Sequence, residues 1–445
     1  MHEVYLDHAA TTYLDLRVKE AMEPYWEAEY GNPSSLYRVG RRAKDALDGA
    51  RVSIAKILNC RPDEVIFTGG GTEAINLAIF GVARAYAQIP NPKSQIPNPT
   101  LRGHIITSKI EHHAVLHSCE ALVKEGWEVT YLDVDEYGLV NPEDVRRALR
   151  PDTLLVSIMY ANNEIGTIEP IQEIAQVIKE FKANRIKPIA NSDSKPYTPN
   201  PIPLFMTDAC QASGSLEMDV QKLGVDLLAF NGSKIYGPKG VGALYKKSSV
   251  RLKPLIYGGG QENQLRSGTE NVSGIIGLAK ALELAQQEKE KENARLLELR
   301  DYFTHRLLTE IPKVVLNGHP IKRLPNNINV SVLDIEGEAV ILYLDSHGIY
   351  ISTGSACTST TLDPSHVILA LGKPYEYAHG SLRFTLGKRT TKEDLDYVME
   401  VFPGIVEKLR QISPVRLEIG QTTVSHPEAF AGQGSKVKVG GKNYK

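Results

Sequence analysis

Short apolar runs alternate with longer, helically spaced ones through the first two-thirds of the chain. The runs at 64–69, 104–108, 128–133, 153–160, 204–209, 227–232 and 242–247 are bounded by turn residues and have the composition of buried strands. Between them, segments such as 73–87 and 171–181 read as helices. In the second, Ile171, Ile174, Ile178 and Phe181 fall on one face, with Pro170 well placed at the first turn. Strand–helix alternation predicts an α/β fold with a mostly parallel, seven-stranded sheet, and ligands bind such sheets at the carboxyl ends of strands.

A long helical pattern from 277 to 311 then carries the chain into a smaller α+β region, with strands at 327–333 and 381–386 and a helix at 392–402. The expected organisation is a large domain over 15–290, a small domain from 1–14 plus 291–413, and a flexible polar tail over 414–445. Two Pro-rich insertions, about 88–102 and 191–203, interrupt the large domain. The first holds a two-copy repeat, Gln88-Ile89-Pro90-Asn91-Pro92 and Gln95-Ile96-Pro97-Asn98-Pro99. Both precede strands, so they are expected as solvated loops at the sheet edge opposite the active site.

Composition narrows the function classes. With 51 basic and 53 acidic residues the net charge is -2, which predicts no electrostatic attraction to nucleic acid or membrane. No secretory signal and no apolar run long enough to span a bilayer is visible. Four cysteines without paired spacing argue against a disulfide framework or a structural metal site. A cytoplasmic protein with reduced thiols is expected.

Four segments carry candidate chemistry. Cys357 lies in Ser352-Thr353-Gly354-Ser355-Ala356-Cys357-Thr358-Ser359-Thr360-Thr361, a polar run without apolar periodicity, so its thiol belongs to a loop and not to a core. Thr68-Gly69-Gly70-Gly71-Thr72-Glu73-Ala74 joins a strand to a helix, where glycines permit close approach and free N–H groups can receive an anion. Alone it is a weak signal, lacking the Lys of a P-loop and the spacing of a dinucleotide fingerprint. Asp208 ends a strand in Leu204-Phe205-Met206-Thr207-Asp208-Ala209-Cys210-Gln211, where a helix cap is the plainer use of a carboxylate. Lys234 follows another strand in Asn231-Gly232-Ser233-Lys234-Ile235-Tyr236-Gly237-Pro238-Lys239-Gly240, with Lys239 as its competitor. Together, an amine, an acid for a pyridine nitrogen and an N–H-rich turn suit pyridoxal 5'-phosphate.

The chain resembles the cysteine desulfurases of the class V aminotransferase superfamily, in the subgroup with a long catalytic loop. The resemblance rests on Tyr5-Leu6-Asp7-His8-Ala9-Ala10-Thr11-Thr12, Gly31-Asn32-Pro33-Ser34-Ser35, Thr72-Glu73, Glu111-His112-His113-Ala114-Val115 and Asn162-Asn163-Glu164-Ile165-Gly166. It continues through Lys234-Ile235-Tyr236-Gly237-Pro238-Lys239-Gly240, Gly258-Gly259-Gly260-Gln261-Glu262, Arg266-Ser267-Gly268-Thr269 and Gly354-Ser355-Ala356-Cys357-Thr358-Ser359, in family order from residue 4 to about 413.

The resemblance implies the aspartate aminotransferase-like architecture known as fold type I, with a small domain that carries the cysteine loop. It implies that L-cysteine becomes L-alanine while its sulfur moves to Cys357 as a persulfide. Lys234 is then the Schiff-base lysine, Asp208 the partner of the pyridine nitrogen, and His112 the residue that stacks on the ring and helps move protons. Asn163 and Gln211 would bond the ring hydroxyl region. Gly71, Thr72, Asn231 and Ser233 would cradle phosphate, with Thr269 arriving from the other subunit of a homodimer. Arg383 and Asn163 would hold the substrate, Arg383 by forking onto its carboxylate. Sulfur-acceptor proteins such as an iron–sulfur scaffold or a tRNA-thiolation enzyme are the implied partners, and no metal is expected. A selenocysteine lyase, a class V transaminase and an inactive scaffold relative are the alternatives. One departure from the family is Ser233 in place of the usual His before the lysine. Cys210 is expected to pack beneath the cofactor, and Cys60 and Cys119 within helical surroundings.

Overall fold

The computed structural model describes residues 2–86, 103–185, 202–354, 364–414, 416–417 and 419. The expectations for most of both Pro-rich insertions, for Cys357 and for most of the tail lie outside the described residues. In chain order the strands among them are β1 (Val4–Tyr5), β2 (Val65–Thr68), β3 (His104–Ser108), β4 (Glu128–Leu132), β5 (Thr153–Ser157) and β6 (Leu204–Asp208). They continue with β7 (Leu227–Asn231), β8 (Gly242–Lys246), β9 (Val314–Leu316), β10 (Asn327–Val332), β11 (Ile349–Tyr350) and β12 (Ser381–Thr385).

Seven strands form one sheet in the order β2-β8-β7-β6-β5-β3-β4. Only β8 runs against the others, pairing antiparallel with both β2 and β7. Successive side chains leave opposite faces of a strand, and both faces here are apolar. Phe67, Ile106, Val156, Phe205, Leu228 and Phe230 pack on one side, with Ile171, Ile174 and Ile178 of the helix Ile171–Arg185. Ile66, Ile105, Leu155, Leu204, Met206 and Leu227 pack on the other, with the helices Gly71–Tyr86 and His113–Lys124. The carboxyl ends of β6 and β7 are therefore the natural exits toward a ligand, and they present Asp208 and Asn231.

A second core surrounds the three-stranded antiparallel sheet β12-β10-β9. Ile328, Val330, Leu382 and Phe384 meet Phe303 and Leu307 of the helix Val272–Glu310 and Phe402 of the helix Lys392–Ile412. The N-terminal segment joins the same core. β1 pairs with β11, Val4 and Leu6 are buried, and Ala9 N–H donates to Thr385 Oγ1 at 2.9 Å.

Several boundaries differ from the periodicity reading, among them three helix ends. The helix expected at 73 opens at Gly71, and the one expected over 277–311 spans Val272–Glu310 behind an Asn271 cap. The helix expected over 392–402 runs on to Ile412 through Pro403. An interior proline costs about 3 kcal/mol, and burial of Ile405, Val406 and Leu409 beyond it offsets that cost at about 1.5–3 kcal/mol per large apolar side chain.

Candidate active site

A cavity of about 650 Å³ opens where β6 and β7 end. The turn Gly69-Gly70-Gly71-Thr72 lines it, as do Asp208, Asn231, Ser233 and Lys234 from the strand ends, His112, Asn163 and Gln211 from neighbouring loops, and Arg383 from β12. Ten of the eleven candidate site residues other than Cys357 line this cavity, and Thr269 is the exception: it is exposed and does not line it.

Each side chain is held by identifiable contacts. The helix Gly71–Tyr86 begins at the glycine turn, and its first backbone bond to the turn is Ala74 N–H to Gly70 O at 3.1 Å, so the N–H groups before Ala74 lack helical acceptors. Gly71 must be glycine, because a Cβ there would stand 2.6 Å from Cys210 Sγ. Asp208 is buried and accepts the Cys210 N–H at 2.9 Å. Ser233 Oγ donates to Asn231 Oδ1 at 3.2 Å, and Lys234 Nζ donates to the Ala10 carbonyl. Gln211 Nε2 donates to Ala9 O at 3.0 Å. His112 caps the helix His113–Lys124, its Nδ1 accepting Ala114 N–H at 3.1 Å, so the neutral ring carries its proton on Nε2.

Arg383 is 1% exposed and lines the cavity. Its Nη1 donates to Asn163 O at 2.9 Å and its Nη2 pairs with Asp7 Oδ1 at 2.8 Å, while Nε has no hydrogen-bond partner among the described residues. A buried guanidinium with an unused N–H is costly unless a ligand completes it.

A family model described as aminotransferase class-V matches residues 4–186 and 202–398. The chain belongs to the class-V aminotransferase family. The break in the match spans most of the second Pro-rich insertion. Among this family's members, the cysteine desulfurase IscS of Dictyoglomus turgidum is 51% identical over 416 residues, 94% of this chain and 98% of that protein. The cysteine desulfurase IscS of Methanosarcina thermophila is 50% identical over 412 residues, 93% and 94% of the two chains. A solved NifS-like protein aligns with a TM-score of 0.79 at 35% identity, over 92% of this chain and all of that one.

Class-V aminotransferases work with pyridoxal phosphate, and the donor set of this cavity fits it. The glycine turn offers N–H groups to an anion, Lys234 an amine and Asp208 a buried carboxylate. Cys210 lines the same cavity against Gly71. Burial, with Asp208 adding to it, pushes its thiol well above the ordinary value. Burial likewise pushes the thiols of Cys60 and Cys119 up to about 12. The three described thiols are thus held protonated and are poor nucleophiles.

Sequence reasoning gave Asp7 and the Ala10 carbonyl no role, although both lie in a motif that carried the family resemblance. Their signal was position in the motif alone, since nothing about residue 7 in sequence points to residue 383.

Proposed function

We propose that the protein is a cysteine desulfurase that converts L-cysteine to L-alanine and passes the sulfur to Cys357. The observation that carries this reading is the convergence of Lys234, Asp208, the Gly70-Gly71-Thr72 turn and the buried Arg383 on one cavity, in a chain half identical to cysteine desulfurases.

When bound, pyridoxal phosphate supplies a sink for the electron pair left when the α-carbon loses a proton. Lys234 would hold that cofactor through Nζ, and the same atom would take the α-proton. Asp208, fixed by the Cys210 N–H, would keep a proton on the pyridine nitrogen. The turn Gly70-Gly71-Thr72, with Asn231 and Ser233, would hold phosphate. His112, with its proton on Nε2, would stack on the ring and exchange protons from that atom. Arg383 would bind the substrate carboxylate, using the Nε that has no partner among the described residues, while Asp7 and Asn163 O prevent the guanidinium from turning.

Cys357, as thiolate, would attack the substrate sulfur. An S–S bond forms, the C–S bond breaks, and its electron pair goes to the β-carbon, which is protonated to give alanine. The balance is L-cysteine plus thiol giving L-alanine plus persulfide, with no outside oxidant. The persulfide would then serve an iron–sulfur scaffold protein or a tRNA-thiolation enzyme in the cytoplasm.

Self-association belongs to the same reading. Trp26, Tyr30, Leu36, Tyr37 and Tyr257 are large exposed apolar side chains; a second copy would cover such side chains, and its Thr269 would reach the phosphate. The deciding experiment is Cys357→Ser. The variant should keep the cofactor's absorption and lose cysteine-dependent alanine formation; normal turnover would sink the proposal.

A further inference from the structure

We propose that Glu164 is a positioning residue for sulfur transfer, its carboxylate bonding one stem at Ser365 and packing against the other at Gly354, the two stems between which Cys357 lies in the sequence. This rests on the reading of Cys357 as the sulfur carrier.

Glu164 is 1% exposed. Its backbone is fixed from both sides. Its own N–H and that of Ile165 donate to Asn162 Oδ1 at 2.8 and 3.0 Å, and its carbonyl accepts Asn327 Nδ2 at 3.1 Å and Asn329 Nδ2 at 3.2 Å. The side chain is thereby aimed at the stems. Glu164 Oε2 accepts Ser365 Oγ at 2.5 Å. On the other stem a Cβ at Gly354 would stand 2.9 Å from the same oxygen, so the Gly354 backbone lies against the carboxylate.

Each stem is anchored a second time. Ser365 caps the short helix His366–Ala370 through Ile368 N–H at 3.2 Å, and His366 Nε2 meets Glu111 O at 3.0 Å. Ser352 exchanges backbone bonds with Arg383 at 2.7 and 3.2 Å, and Ser381 Oγ donates to Thr353 O at 3.0 Å. The turn that carries Glu164 also gives Arg383 its Asn163 carbonyl. One turn therefore touches the guanidinium proposed to hold the substrate carboxylate and both stems of the thiol segment. An apolar side chain could fill this space, whereas a buried carboxylate is costly unless its lone pairs are used. The Ser365 hydroxyl uses one of them, and the Gly354 backbone packs against the same oxygen.

The test compares Glu164→Ala, Glu164→Gln, Ser365→Ala and Cys357→Ser holoenzymes in single turnovers with L-cysteine. Substrate binding, read from the change in cofactor absorption, should stay within about threefold of the parent in all four. Persulfide and alanine formation should fall about 10- to 100-fold in Glu164→Ala, the consequence of losing one charge-assisted hydrogen bond. Ser365→Ala should fall in the same direction, and Glu164→Gln, which keeps an acceptor oxygen, should recover most of the rate. Hydrogen exchange in 349–354 and 364–370 should quicken in both alanine variants. Normal alanine formation in Glu164→Ala and Ser365→Ala while Cys357→Ser is inactive would overturn the role of Glu164 alone. An equal loss of binding and of alanine formation would also overturn it, marking a structural role. Turnover by Cys357→Ser would instead overturn the underlying reading.

Discussion

The two main sheets are both buried on both faces, and they use that burial in opposite ways. In the seven-stranded sheet, alternate residues of β6 and β7 enter two apolar cores, and polar chemistry is confined to the strand ends, at Asp208 and Asn231. In the three-stranded sheet one face is apolar, and the other, Asn327, Asn329 and Ser331 with Ser381, Arg383 and Thr385, is polar yet buried. That face carries a bond network, which leaves Arg383 Nε, Asn327 Oδ1 and Asn317 Oδ1 without partners among the described residues. Asn317 Nδ2 reaches both Asn329 Oδ1 and Ser331 Oγ at 2.8 Å, and Ser331 Oγ donates to Tyr377 O at 2.8 Å. The large sheet thus provides a scaffold with reactive ends, while the small sheet offers a functional group, Arg383, from the middle of a strand. A buried polar face says more about function than an apolar one, because every group on it must be matched.

Substitutions on the two sheets should separate stability from chemistry. The largest effect is expected from Phe205→Ala on the large sheet, about 3–5 kcal/mol in denaturant unfolding, with alanine formation per folded molecule unchanged. Arg383→Lys on the small sheet should do the reverse. It loses the forked geometry, raises KM for cysteine and lowers kcat/KM about 10- to 100-fold, as for a lost hydrogen bond to a charged group, with little change in the unfolding midpoint. Asn317→Ala strips a donor shared by two partners and should cost about 1–3 kcal/mol; a cost near zero in the same unfolding assay would mean that the polar face is not structurally matched. The smallest effect concerns a polar residue of the large sheet. His104, buried between Thr153 Oγ1 at 2.9 Å and Thr130 Oγ1 at 2.8 Å, has its pKa lowered to about 4, chiefly by burial. The unfolded chain therefore takes up the proton first, so stability falls as pH drops from about 6.5 toward 4 and levels off below. Between pH 7 and 6 the parent should lose about 0.5–1 kcal/mol more than His104→Gln, measured by unfolding at both pH values.

The same contrast explains what could be read from sequence. The strands ending in Asp208 and Asn231 announce themselves as apolar runs, and a carboxylate or a lysine just beyond such a run is visible without neighbours. Arg383 sits in Ser381-Leu382-Arg383-Phe384-Thr385, an alternation that ordinarily means one solvated face. On periodicity alone it reads as a surface charge, and only the family resemblance gave it a role. Burial of that face depends on Asp7, Asn163 and Glu164, which are distant in sequence, and no local pattern encodes their approach. Glu164 was quoted only as part of a motif, because its contacts, Gly354 and Ser365, lie some two hundred residues away.

The N-terminal segment has a consequence for synthesis. Its Ala9 N–H bonds Thr385, 376 residues later, and its Asp7 pairs with Arg383, also 376 residues later. At roughly 5–20 residues per second, a ribosome needs about 20–75 s to deliver those partners after the segment has emerged. Through that interval the strands ending in Asp208 and Asn231 can pair and collapse, but Arg383 does not yet exist to meet Asp7. Holoenzyme assembly is therefore a late event in the life of the nascent chain, and pulse-labelled chains arrested before Thr385 should lack a completed cavity.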